Sequence, residues 1–388
     1  MSATNLRINL GRIRENYQMF VDATKRGPSS SSEVGAVVKA DAYGLGVGPV
    51  AETLCKVGCE TYFVAHGFEG QALRSFAPKA KIYVFHGALP GEEAIFQENR
   101  LIPVVHSFST LERWQRFAKQ SGYCDAALQV DTGMNRLGFQ SREFKLLCRD
   151  EHFLDGLDIH LIMSHLACGD ESENVKNKEQ LDLFRELMNN RPSWLSDVPL
   201  SLANSAGTLL GADYHFDVCR VGIGLYGGNP FSGQTNPCSS VVTVETPILQ
   251  ISEIEAGESV SYGGCWVARR PSRIATVGVG YADGYLRAIG YKESGYKENG
   301  YKEREYKESG CEGAVAIDGQ LAPIVGRVTM DLIMIDVTEL PTDVVQVGSL
   351  VEMMGETVLI DQVANHAQTI GYEILTSLGH RYKRDYIA

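Results

Sequence analysis

Short apolar runs rich in β-branched residues recur along the first 225 or so positions, at 35–38, 62–65, 81–85, 101–105, 126–130, 157–163, 199–202 and 218–222. Longer stretches with helical spacing lie between them. Leu111, Trp114 and Phe117 mark one face of 111–119, and 179–188 repeats the pattern. The strand runs are apolar on successive residues rather than alternating, which predicts burial on both faces, as in a parallel sheet. Eight such runs alternating with helices predict an α/β fold with an N-terminal (β/α)8 barrel of the TIM type rather than an open doubly wound sheet.

The texture changes after about position 230. Residues 231–240 are rich in Ser, Gly, Pro and Asn and read as a linker. Strand patterns follow at 241–245, 248–254, 273–279, 313–317, 332–336 and 349–354, with helical patterns at 360–365 and 372–378. These predict two domains, a barrel over 1–233 and a mainly β domain over 234–388. Within the second lies YKESG YKENG YKERE YKESG, residues 291–310, a tandem repeat whose units each carry no net charge. It is too polar to build a core and reads as a solvated loop.

Composition narrows the function classes. The 388 residues are 44% hydrophobic and 22% charged, with a formal net charge of −12. That balance suits a globular protein with a large core and argues against nucleic-acid binding, which needs a basic footprint. No apolar run is long enough to span a bilayer. Arg7, Arg12, Arg14 and Glu15 fall where an export signal would be apolar, so the cytoplasm is the expected location. The nine cysteines are scattered with no CxxC pair. They read as free thiols, not as a metal site.

The residues able to do chemistry cluster at predicted strand ends. In AVVKADAYGLG (36–46), Lys39 ends the first barrel strand, where barrel active sites open. Apolar neighbours would desolvate its ammonium and make it a usable nucleophile, although a strand-end lysine can also simply reach for solvent. Tyr43 with Gly44 and Gly46 suits contact with a phosphate or an ordinary turn. Arg136 in DTGMNRLGF (131–139) could clamp a carboxylate or pair with a neighbouring acid. His165 ends the sixth strand, as a site group or a core histidine. Asn204, Ser205 and Gly207 open a helix as anion binders or as a plain cap. Arg220 ends the eighth strand, with Gly222 and Ile223 placed for a phosphate cradle. A lysine, a cationic clamp, a histidine and a phosphate cradle together suggest a Schiff-base enzyme using pyridoxal phosphate, though a barrel acting on a phosphosugar would show similar pieces. In the second domain Tyr262 lies beside two glycines, Met330 precedes an alternating apolar run and Tyr372 opens the last helix. Each reads equally as a site residue or a packing one.

In family order, AVVKADAYGLG, DTGMNRLGF, MSHLA, SLANSAG, CRVGIGLYG, SYGG, VGYADGYLR, PIVGRVTMD and GYEILTSLG resemble the motifs of alanine racemase, a pyridoxal-phosphate enzyme of fold type III. The resemblance implies a barrel followed by a β domain with which the first ten or so residues pair. It also implies a homodimer with shared active sites that interconverts L- and D-alanine and supplies D-alanine for peptidoglycan. Lys39 would carry the cofactor and act as the base facing D-alanine. Tyr262 of the other subunit would face L-alanine. Tyr43, Ser205, Gly222, Ile223 and Tyr372 would hold the phosphate, Arg220 the pyridine nitrogen, and His165 would support Arg220. Arg136 and Met330 would meet the substrate carboxylate. The sequence departs from the family at Gln129, where many members carry a carbamylated lysine that steadies the arginine matched here to Arg136. An anion or the Gln129 amide is expected to replace it. The insert is a second departure. Competing readings are a racemase of broader specificity, a fold-type III decarboxylase, which usually sets an acid where Arg220 stands, and a non-enzymatic pyridoxal-phosphate-binding protein, which would lack the β domain.

Overall fold

The computed structural model describes residues 4–25, 32–290 and 313–388. The repeat at 291–310 lies outside the described residues. The chain forms two compact units, one of Arg12–Ser239 and one of Met1–Gly11 with Ser240–Ala388.

The chain begins with β1 (Asn5–Asn9), which belongs to the second unit. The first unit is built on β2 (Glu33–Val37), β3 (Thr61–Val64), β4 (Lys81–Val84), β5 (Leu101–Val105), β6 (Asp125–Gln129), β7 (Asp158–Met163), β8 (Leu200–Ser201) and β9 (Val218–Val221). These form one parallel sheet in the order β8-β7-β6-β5-β4-β3-β2-β9. It closes between β8 and β9. The Asp217 N–H donates to Leu200 O at 3.0 Å and the Arg220 N–H to Ala203 O at 2.9 Å. The Ser201 hydroxyl adds a bond to Val218 O at 2.5 Å. The (β/α)8 barrel expected from the pattern of apolar runs is therefore present.

The barrel helices follow their apolar stripes and are longer than the stripes suggested. The 111–119 pattern sits in the helix Phe108–Ser121, begun by Ser107, whose hydroxyl accepts from the Thr110 N–H. Leu111, Trp114 and Ala118 fill its buried face, and Phe117 is only half-buried, its ring centroid 5.2 Å from that of Trp114. The pattern at 179–188 lies within Val175–Asn189.

The second unit contains β10 (Val242–Ile254), β11 (Ser259–Val260), β12 (Trp266–Val267), β13 (Ser272–Val277), β14 (Ala314–Ile317), β15 (Gln320–Val325), β16 (Ile333–Asp336), β17 (Leu350–Met354) and β18 (Lys383–Ile387). Its main sheet runs β13-β16-β15-β14-β17-β10-β1-β18, and a further β13–β10 pairing closes six of these strands on themselves. β1 lies antiparallel to β10 and parallel to β18.

Two local differences have physical causes. The segments expected as strands at 241–245 and 248–254 form one strand, because Pro247 sits where β10 exchanges its partner β17 for β13 and the register shifts just beyond it. A missing N–H is tolerated at such a handover. β15 escaped the sequence pattern because Pro323 interrupts it. Asp318 and Gly319, both with positive φ, make the two-residue turn that folds β15 back on β14.

Candidate active site

Lys39 stands two residues beyond the last residue of β2, after Val38. From Ala40 to Tyr43 every residue has φ between 52° and 56°, a left-handed turn ending at Gly44 (φ 82°). Non-glycine residues pay about 1–2 kcal/mol each for this backbone, so neighbouring groups must hold it. Ala42 and Gly44 N–H groups donate to Val38 O and Ala40 O at 2.9 and 2.7 Å. Glu69 clamps the turn from the next strand–helix unit: Oε1 accepts from Ala40 N–H at 2.7 Å, and Oε2 from Ala65 and His66 N–H at 2.7 and 3.1 Å. Asp41 Oδ1 accepts from Val47 N–H at 2.7 Å. Burial, then the Arg136 charge, holds the Lys39 ammonium below lysine's ordinary range, while Glu69 opposes them.

Arg220 is 3% exposed at the end of β9. Its Nη1 donates to Ser201 Oγ and its Nη2 to Ser164 O, both at 2.5 Å, with Leu202 O at 3.4 Å. Nη2 also meets His165 Nδ1 at 3.2 Å. A guanidinium has no acceptor, so Nδ1 must accept and the imidazole carries its proton on Nε2. Burial and the Arg220 charge push His165 down to about 3, keeping it neutral, and burial lowers Arg220 to about 10, leaving it cationic at neutral pH.

Beside this pair, Asn204 caps the helix Ser205–Leu210 through Gly207 N–H at 2.8 Å. Ser205 does something else. Its hydroxyl oxygen accepts from Gly222 and Gly224 N–H at 2.9 and 3.4 Å, which leaves the hydroxyl proton to donate outward. A Cβ on Gly222 would stand 2.4 Å from Tyr43 Oη, so glycine is what lets the phenol reach this point. Tyr43 is buried with its ring 4.7 Å from that of Tyr226, whose hydroxyl donates to Val37 O at 2.9 Å. Tyr43, Ser205 and Gly222 thus come together, with Ile223 next along the chain.

The loop after β6 is folded by Asp131. Its Oδ1 accepts from Gly133, Met134 and Asn135 N–H at 2.8, 2.9 and 3.1 Å, and Oδ2 from Gln140 Nε2 at 2.9 Å. Burial pushes this carboxyl up, but the N–H donors outweigh it and the net shift is downward. Arg136 is exposed on the loop and makes no hydrogen bond or ion pair with the described residues, although Lys39 and His165 both feel its charge. The Gln129 amide does not hold the Arg136 side chain. It donates to Leu137 O at 2.9 Å, fixing the loop one residue further on.

The remaining expected residues lie in the second unit. Tyr262 is 73% exposed at the head of the short turn Tyr262–Gly264, Met330 is 52% exposed, and Tyr372 is 40% exposed in the helix Gly371–Ser377. The 328–331 segment bearing Met330 is tied to the GYAD turn, since Tyr281 and Ala282 N–H donate to Thr329 and Met330 O, each at 3.0 Å.

The family model "Alanine racemase, N-terminal domain" matches residues 8–230, and "Alanine racemase, C-terminal domain" matches residues 241–386. The chain belongs to the alanine racemase family. Among relatives, the alanine racemase of Rhizobium meliloti is 42% identical, covering 100% of this chain and 97% of that protein. The catabolic alanine racemase of Agrobacterium fabrum is 40% identical over 99% of this chain and 92% of its own length. The crystal structure of alanine racemase from Bartonella henselae, with covalently bound pyridoxal phosphate, superposes with a TM-score of 0.88 at 35% identity, covering 100% of both chains.

Several residues that hold the candidate site in place were not singled out in the sequence. Glu69 lies outside the quoted motifs, and Ser164, Ser201 and Tyr226 lie inside MSHLA, SLANSAG and CRVGIGLYG, but all act through backbone or buried contacts that the residue types do not announce. Asp131 had a signal, since an acid two residues before a glycine often folds a loop onto itself. In the second unit, buried Asp283 accepts from Gly280 N–H at 2.9 Å and pairs with Arg381 Nε at 3.0 Å, and Arg381 Nη1 reaches Asp331 at 2.8 Å. This network links the YADGY and TMD motifs, which are far apart in sequence.

Proposed function

We propose that this protein is a pyridoxal-phosphate-dependent alanine racemase, working in the cytoplasm as a homodimer with shared active sites and supplying D-alanine for peptidoglycan. Its domains are proposed as a cofactor-binding barrel over 1–233, apart from the first ten or so residues that pair with the β domain, and a β domain over 234–388. Family membership supports the reading. The structural observation that carries it is Arg220, buried and cationic, with serine, carbonyl and neutral histidine partners and no carboxylate among them. A decarboxylase of the same fold type would favour an acid at that place.

The residues gathered there fit the cofactor. Glycine at 222 admits the Tyr43 hydroxyl, the Ser205 hydroxyl is left to donate, and a desolvated lysine stands at the neighbouring strand end. When bound, pyridoxal phosphate supplies the electron sink that makes an amino acid's Cα proton removable. Lys39 Nζ would hold it covalently, helped by burial that favours the neutral amine. Tyr43, Ser205, Gly222, Ile223 and Tyr372 would bind its phosphate. Arg220 would donate to the pyridine nitrogen, and because a guanidinium offers no acceptor for a pyridinium N–H, that nitrogen would be left unprotonated. His165 holds Arg220 in place without adding a charge. Racemisation needs a proton removed from one face of Cα and another delivered to the opposite face. Lys39 would serve the face of D-alanine and the partner subunit's Tyr262 the face of L-alanine. Arg136 and the partner subunit's Met330 would orient the substrate carboxylate.

Incubating purified protein with pyridoxal phosphate and L-alanine, followed by chiral chromatography, tests the reading. Both enantiomers should approach equal amounts, with other amino acids converted more slowly and no product from Lys39→Ala. Bound cofactor without D-alanine would overturn it.

A further inference from the structure

Ser261, immediately before Tyr262, has φ 70° and ψ 177°, a backbone region occupied essentially by glycine. Glycines follow at 263 and 264, yet the strained position itself holds serine. The side chain accounts for this. Ser261 Oγ donates to Arg327 O at 3.1 Å and accepts from Arg327 N–H at 3.2 Å, a reciprocal clasp across 66 residues. Gly326 makes the approach possible, since a Cβ there would lie 2.5 Å from Ser261 Cβ and 3.1 Å from Val260 O. On one side of Ser261, Val260 is anchored in a core cluster with Ile274 and Val325. On the other, Tyr262 projects into solvent from a turn closed by Gly264 N–H to Ser261 O at 3.1 Å. Arg327 leads within three residues to Met330, whose segment is held by the GYAD turn.

We infer that Ser261 is the positioning residue of Tyr262: its clasp to Arg327 holds a strained backbone that aims the tyrosine and ties it to the segment bearing Met330. The inference rests on the racemase reading, in which Tyr262 moves the proton on the L-alanine face. A core that wanted only a turn here would use glycine and avoid the strain. Strain that persists beside a reacting group, fixed by a side chain bonded to both polar atoms of a distant peptide, serves to set geometry.

Two variants separate strain from clasp. Ser261→Ala keeps the difficult backbone and loses the hydroxyl, and Ser261→Gly removes both. In the holoenzyme each should slow racemisation on the order of 10–100-fold, the scale of a misplaced reacting group. In D2O, Cα exchange of D-alanine, which Lys39 initiates, should fall much less, so the ratio of exchange to racemisation rises. Ser261→Gly should also melt above Ser261→Ala, because both lose the clasp and only the glycine relieves the backbone strain. Amide exchange at Gly264 should quicken in both variants. Unchanged racemisation in both variants, or equal loss of exchange from the two enantiomers, would overturn the inference. If the wild type fails to racemise alanine, the racemase reading falls, and Gly264 exchange then decides the clasp alone: quickened in both variants it stands, unchanged it does not.

Discussion

At the scale of single residues, the site works by removing charge where charge would interfere. His165 touches the Arg220 guanidinium and is held neutral, pushed from 6.5 down to about 3 by burial and then by that cation. The sign of the pH effect follows. The unfolded chain takes up the His165 proton near 6.5 while the folded one resists until about 3. Stability is therefore lost progressively as pH falls through that window. Denaturant titrations across it should show a shallower slope for His165→Gln, and an identical slope would mean that the imidazole is not held neutral. Glu69 acts in the opposite sense on Lys39. Glu69→Gln removes an anion that raises the lysine, so the pH profile for cofactor capture should move to lower pH. It also sets an amide against the Ala65 and His66 N–H donors, costing on the order of 1 kcal/mol in denaturant unfolding. A profile that stays in place would remove Glu69 from the account. Lys39, Arg220 and Tyr43 were legible in the sequence because they stand beside strand ends and glycines. Glu69 was not, because its contribution is to backbone N–H groups in a turn whose left-handed course is not visible from ADAY.

At the scale of elements, the apolar runs located every barrel strand, since burial on both faces leaves a continuous signal. The second unit was harder to read. β15 carries Pro323, β10 carries Pro247, and β11 and β12 are two residues each, too short for any periodicity. The turns there carry more of the specification than the strands do. Gly284 has φ 91°, and a Cβ on it would lie 1.9 Å from Ser377 O, the last residue of the helix that Tyr372 helps open. Gly379 N–H meanwhile donates to Asp283 O at 2.9 Å. Gly284→Ala should therefore separate the YADGY turn from this helix and cost about 3 kcal/mol or more of stability, read as a lowered denaturant midpoint. An unchanged midpoint would show that the turn and the helix end are not packed as described. The glycine was plain in the motif, but its neighbour, 93 residues later, was not.

At the scale of the whole molecule, the expected catalytic set is divided between the two units. Lys39, Tyr43, Arg136, His165, Ser205, Arg220, Gly222 and Ile223 belong to Arg12–Ser239, and Tyr262, Met330 and Tyr372 to the other unit. The exposed state of Tyr262 and Met330 accords with residues that serve a second copy of the chain, and the proposal requires that they do. Among the described residues no helix is long and apolar enough to cross a membrane. Hybrid dimers test the sharing of sites most directly. Lys39→Ala and Tyr262→Phe should each be inactive alone. When the two are unfolded together and refolded as an equal mixture, half the dimers carry both variants, and each hybrid has one intact site. The account predicts recovery of about a quarter of wild-type racemisation. A mixture as inactive as its components, with hybrid dimers shown to be present, would contradict it.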